Sequence, residues 1–113
     1  MASGIKGLLK PGAGSGLDLT ATYKLVEATT TTTVIVSACN QDAAADTIRI
    51  ALIPAGTTAT SGAASTNNYL EFDYSLGANS ALERTGIVLE TNARIMVSSA
   101  GGNVSFACYG LES

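Results

Sequence analysis

From Tyr23 onward, apolar positions tend to recur at every second residue in short runs, and clusters of Gly, Asn, Pro or Ser interrupt them. That period belongs to strands with one buried face. The runs predict seven strands: Thr22 to Glu27, Thr31 to Cys39, Thr47 to Ile53, Tyr69 to Tyr74, Ala81 to Leu89, Arg94 to Ser98 and Asn103 to Leu111. Ile48, Ile50 and Leu52 share one parity against Arg49 and Ala51, and Val104, Phe106 and Cys108 share one against Ser105, Ala107 and Tyr109. Each strand is expected to bury one side. Two antiparallel sheets packed face to face would join those sides, which predicts an all-β sandwich, Ig-like or jelly-roll.

The stretch ALERTGIVLE breaks the alternation, because strict parity places Ile87 with Glu83. A bulge at Gly86 inserts one residue and resets the register, so that Leu82 and Ile87 face the same core and Glu83 and Arg84 sit near the rim. Helices are not expected: the best local former, Gln41 to Asp46, is about one turn, far below the ~12 to 15 residues that hold an isolated helix.

Residues 1–20 lack either period and contain five of the twelve glycines, with Pro11 and two lysines. They predict an extended arm preceding a sandwich of residues 21–113. They lack the apolar run of a signal peptide or membrane span, so the protein is expected to stay where it is made and to have no membrane partner. Pro54 to Asn68 predicts a long exposed loop.

Composition narrows the chemistry. Charged residues make up 13% of the 113, about half the usual ~25%, with Thr, Ala, Ser and Gly in their place. Such a surface tolerates permanent contact with neighbours, since little charge must be desolvated. Six basic against nine acidic residues leave no basic patch for nucleic acid. The absence of histidine removes the commonest general base and metal ligand, so no enzyme activity and no cofactor are expected. Cys39 and Cys108 show no ligand spacing and are expected as buried thiols, their pairing left open. The sequon at Asn103 to Ser105 is expected to be an ordinary turn into a strand.

Thr29 to Thr33 would suit a hydroxyl array for ice or glycan, but such arrays need regular repeats on several strands; threonine's preference for extended backbone accounts for the run. Glu71 and Asp73, spaced by two on one strand, would fall on one face opposite Phe72. A glycosidase needs carboxyls across a cleft and aromatic platforms, which Tyr23, Tyr69, Tyr74 and Tyr109 supply sparsely. Calcium at Asp42, Asp46, Glu71 or Asp73 lacks a loop to enforce it, so no metal site is expected.

TTTVIVSACN, TIRIALIPAG, NYLEFDYSLGANSALERTGIVLE and ARIMVSSAGGNVSFACYG follow one another in an order, from about Thr31 to Glu112, that resembles small virion structural proteins of tailed bacteriophages, especially those of marine cyanobacteria and other aquatic bacteria. YLEFD, LERTGIVL and NVSFACYG carry most of the likeness. The resemblance implies an Ig-like or jelly-roll sandwich that decorates a capsid or attaches to tail, collar, baseplate or fibre, without catalytic residues. The arm before Tyr23 departs from the pattern. The expected partners are a major capsid protein or other virion proteins and further copies of the chain, with a trimer preferred. Localisation is then the virion, assembled in the host cytoplasm. Partner contact is expected at Ile5, Leu8, Leu9 and Leu17 of the arm, which would add a strand to a partner's sheet, and at Glu83 and Arg84. A glycan-binding module contacting the host surface is the alternative from another class.

Overall fold

Alternation and turn chemistry produce eight strands in a computed structural model, which describes residues 3–9, 23–55 and 69–112. They are β1 (Ser3–Leu9), β2 (Tyr23–Glu27), β3 (Thr32–Asn40), β4 (Asp46–Ile53), β5 (Tyr69–Leu76), β6 (Ala81–Leu89), β7 (Arg94–Ser99) and β8 (Val104–Glu112). One sheet, here sheet A, has the order β1-β8-β3-β6, and sheet B has β2-β7-β4-β5. Every pairing is antiparallel. Strand 1 pairs with 8, 2 with 7, 3 with 6 and 4 with 5, so the chain is one long hairpin rolled into two layers, the jelly-roll member of the sandwich class.

Residues 3–9 correct the expectation of an arm. They form the edge strand of sheet A, paired with β8. Their period was hidden because Ile5 pairs with Tyr109 while Gly7 pairs with Cys108, a bulge at Lys6 that puts Ile5 and Leu8 on one face despite their spacing of three. The remaining arm positions, Leu17 among them, and residues 56–68 of the expected loop lie outside the described residues.

The core lies between the sheets. Val34, Val36 and Ala38 of β3, Ile87 and Leu89 of β6, and Val104, Phe106 and Cys108 of β8 meet Ile48 and Ile50 of β4 and Ile95 and Val97 of β7, all buried. One-sided burial fails for β7, where Ile95 to Ser99 are all buried. Its Met96 joins Ala51, Ile53 and Tyr69 in a second cluster on the opposite face of sheet B.

The bulge in β6 forms as its sequence predicts. Val34 pairs with Ile87 and Val36 with Arg84, so β6 carries one extra residue, and Gly86 adopts φ +72°. Ile87 is buried and Leu82 packs against the same core.

One end of the sandwich is closed by two buried polar side chains. Asn40 Nδ2 donates to the carbonyls of Ala44, Leu76 and Gly77 at 3.0, 3.0 and 3.2 Å, tying the ends of β3 and β5 together. The Asp46 carboxylate accepts from the N–H groups of Thr47, Gly101 and Asn103 at 2.8, 2.7 and 3.2 Å and from the Ser99 hydroxyl at 2.6 Å. It thereby fixes the β7–β8 turn against β4. Buried polar groups require such partners, and here the turn backbones supply them.

Candidate interaction surface

The outer face of sheet A follows from its register, since directly opposed residues point the same way. Val88, Thr33 and Leu111 lie in one row across β6, β3 and β8. The next row is Ile35, Tyr109 and Ile5, followed by Glu83, Ser37, Ala107 and Leu8, then Ala81, Cys39 and Ser105. Ile5 is 69% exposed, Leu8 68%, Val88 58% and Leu111 46%, four of the six large apolar side chains exposed among the described residues. Their register partners Thr33, Tyr109 and Ala107 alternate with the core residues Val34, Phe106 and Cys108, so strand pairing places these four side chains outside.

Glu83 is the only carboxylate in these rows, which contain no lysine or arginine. Tyr109 donates its hydroxyl to Glu83 Oε2 at 2.8 Å, and that bond, with some loss of hydration and the carboxylate's charge, raises the phenol above its ordinary range. The face therefore presents aliphatic groups, hydroxyls and one carboxylate already occupied within the chain. Large exposed apolar patches are in general sites of contact with other macromolecules, which makes this face the candidate surface.

The expected contact residues separate on folding. Ile5, Leu8 and Glu83 converge on this face. Leu9 ends β1 opposite Phe106, and its side chain lies outside the described residues, as does Leu17. Arg84 takes the opposite parity to Glu83 and bridges the open side of the sandwich, its Nη1 3.1 Å from Glu71 Oε2. Val88, Ile35, Tyr109 and Leu111 complete the surface but were not singled out, because membership depends on strand order, which local periodicity does not encode.

The carboxylates weighed for catalysis diverge. A further bulge, with Ile48 opposite Tyr74 and Ile50 opposite Glu71, puts Asp73 at φ +52°. Glu71 turns to Arg84, while Asp73 pairs with Arg49 Nε on the other side. The bond from Arg49 is the main cause that holds the exposed Asp73 carboxyl below its usual range. Glu71 and Asp73 thus do not share a face as strict alternation predicts. Among the described residues, no group of three or more His, Cys, Asp or Glu side chains converges as metal ligands would.

The aromatic residues also divide. Tyr69 meets Phe72 edge to face at 4.7 Å, and the Arg49 guanidinium lies 4.2 Å from the Phe72 ring centre. Phe72 is 55% and Tyr74 42% exposed. A recess of about 280 Å³ at the end of the sandwich is lined by Thr31, Leu52, Pro54, Val88, Glu90 and Ala93, with Glu90 accepting the N–H of Ala55 at 3.2 Å. Cys39 is exposed on the sheet A face and Cys108 is buried; both are free, which corrects the expectation of two buried thiols.

No family model matches the chain, and no curated protein or solved structure matches it.

Proposed function

We propose that this chain is a structural subunit of a phage virion, a decoration or cement protein that binds the assembled capsid and stabilises it. The observation that supports the reading most strongly is the outer face of sheet A, where Ile5, Leu8, Val88 and Leu111 are exposed around hydroxyl groups and a single tied carboxylate. Such a face gains by losing water and gives up little charge solvation when a neighbouring polypeptide covers it. The jelly roll is a fold used by capsid proteins, which adds support by analogy alone. The order of motifs from Thr31 to Glu112 resembles virion structural proteins and supplies the biological setting. The mechanism is mechanical: apolar contact at each copy, repeated by the symmetry of the shell, becomes durable through multivalency.

Quantitative gels of purified virions separate this role from attachment at tail, collar, baseplate or fibre. A decoration subunit occurs in proportion to the capsid lattice, and a tail subunit in the much smaller number set by one appendage. Absence of the chain from the particles would refute both.

A second reading, a glycan-binding module, draws on Phe72 and Tyr69 beside Arg49 and Asp73. Exposed rings next to fixed donors and acceptors suit a sugar. A glycan array tests it: binding that disappears in Phe72→Ala supports this role, and no binding to any glycan removes it.

A further inference from the structure

Strand β1 is one of four edge strands, paired on one side only, with β8. Of its described side chains none is buried: Ile5 and Leu8 point outward at 69% and 68% exposure, and Lys6 is partly covered. Among the described residues, its bonds to β8 are the backbone ladder and the ion pair from Lys6 Nζ to Glu112 Oε1 at 2.9 Å.

The edge that receives β1 does not depend on it. β8 is paired along its whole length with β3, from Val104 opposite Asn40 to Glu112 opposite Thr32, without a register shift. Phe106 and Cys108 anchor it in the core. Gly110 lies so close to β3 that a Cβ there would stand 1.9 Å from the Thr33 carbonyl oxygen. If β1 leaves, β8 remains ordered and exposes a row of backbone donors and acceptors, which is a template for another strand.

The best match for that template is β1 of a second copy. The ladder requires a bulge between Ile5 and Gly7, a glycine at φ +124° at position 4, and a cation to meet Glu112. An identical strand supplies all three. Thirteen residues, 10–22, separate β1 from β2, and a chain of that length reaches about 45 Å when extended. We propose that β1 is exchanged between copies of this chain, each copy's β1 completing sheet A of a neighbour at the β8 edge. Exchange of an identical element creates an oligomer with no new contact chemistry, since every bond of the closed form is reproduced. Whether the neighbours also sit on a virion does not enter, so the proposal stands or falls separately from the function proposed above.

Leu8 and Ala107 are directly opposed on the outer face, at a separation that antiparallel pairing makes suitable for a disulfide. The experiment uses the full chain carrying Leu8→Cys and Ala107→Cys with Cys39→Ser, unfolded under reducing conditions, refolded over a range of concentrations and then oxidised. Mass on a non-reducing denaturing gel is compared with mass in solution by light scattering. Exchange predicts a disulfide-linked dimer or ladder that replaces the monomer as the refolding concentration rises. A chain monomeric on the gel at every concentration overturns the proposal, and so does a dimer in solution that runs as monomer on the gel, since its copies associate with β1 kept at home. Leu8→Cys alone, with Cys39→Ser, must give no such ladder; if it does, random surface coupling explains the bands and the proposal fails.

Discussion

Replacing Asp46 by Asn removes one charge and almost no volume, and it isolates what the polar end of the sandwich contributes. The carboxylate is 6% exposed and accepts four hydrogen bonds, two at each oxygen. With Asn, the best arrangement keeps the carbonyl towards Thr47 and Gly101 and turns the amide NH2 towards Ser99 and Asn103. Ser99 can rotate to accept, but the Asn103 N–H then faces another donor. One bond to a charged acceptor is lost, at about 1.5–3 kcal/mol, and a part-buried N–H is left without a partner, so the total is about 2–4 kcal/mol. For a domain of this size the thermal midpoint falls by about 8–20 °C.

Acid titration supplies a second arm. Burial pushes the Asp46 carboxyl upward, but the Ser99 hydroxyl and the N–H groups of Gly101, Asn103 and Thr47 together outweigh it and hold it below its ordinary value of 3.8. A depressed folded pKa gives stability that is fully present above the unfolded pKa and is lost as pH falls through the folded one. Urea midpoints measured from pH 7 downward should therefore show the parent and Asp46→Asn well apart at neutral pH and converging below about pH 4. A variant within ~0.5 kcal/mol of the parent at pH 7, or a gap that widens in acid, refutes the assignment of Asp46 as the clamp of this end.

Gly86→Ala meets no steric obstacle, yet forces a side chain into the left-handed region and should cost about 1–2 kcal/mol, with Gly86→Asn costing less in the same denaturation assay. Gly110→Ala has no room beside the Thr33 carbonyl and should lose about 3 kcal/mol or fail to fold. A thiol reagent at pH 8 should modify Cys39 quickly in the native chain; Cys108, buried and raised to about 11, should react only after unfolding, and two fast thiols would contradict its placement. Arg84→Ala should change stability by no more than about 1 kcal/mol, since its bridge to Glu71 lies at the open side where water competes.

How much of this was legible in the sequence depended on range. The Gly86 bulge could be read because a parity conflict and the glycine that relieves it lie within one ten-residue stretch. The equivalent bulge at Lys6 could not, since Ile5 and Leu8 are too few to define a period and glycines surround them. Asp73 misled for a related reason: strict alternation gave Glu71 and Asp73 one face, and the backbone turns left-handed at Asp73 to reach Arg49. The contact face needs more than local pattern. Val88, Ile35, Tyr109 and Leu111 look like ordinary outward positions on three strands, and only the order β1-β8-β3-β6 makes them neighbours.

The central claim is that the outer face of sheet A holds this chain against other virion proteins. Phage particles depleted of the chain, mixed with purified parent or with a Leu8→Glu and Leu111→Glu double variant and sedimented through a density gradient, test it most directly. Both substitutions are at exposed positions and should leave stability within about 1 kcal/mol of the parent. The account predicts that the parent travels with the particles and the double variant stays at the top of the gradient. A parent that never travels with particles, or a folded variant that travels equally well, would contradict it.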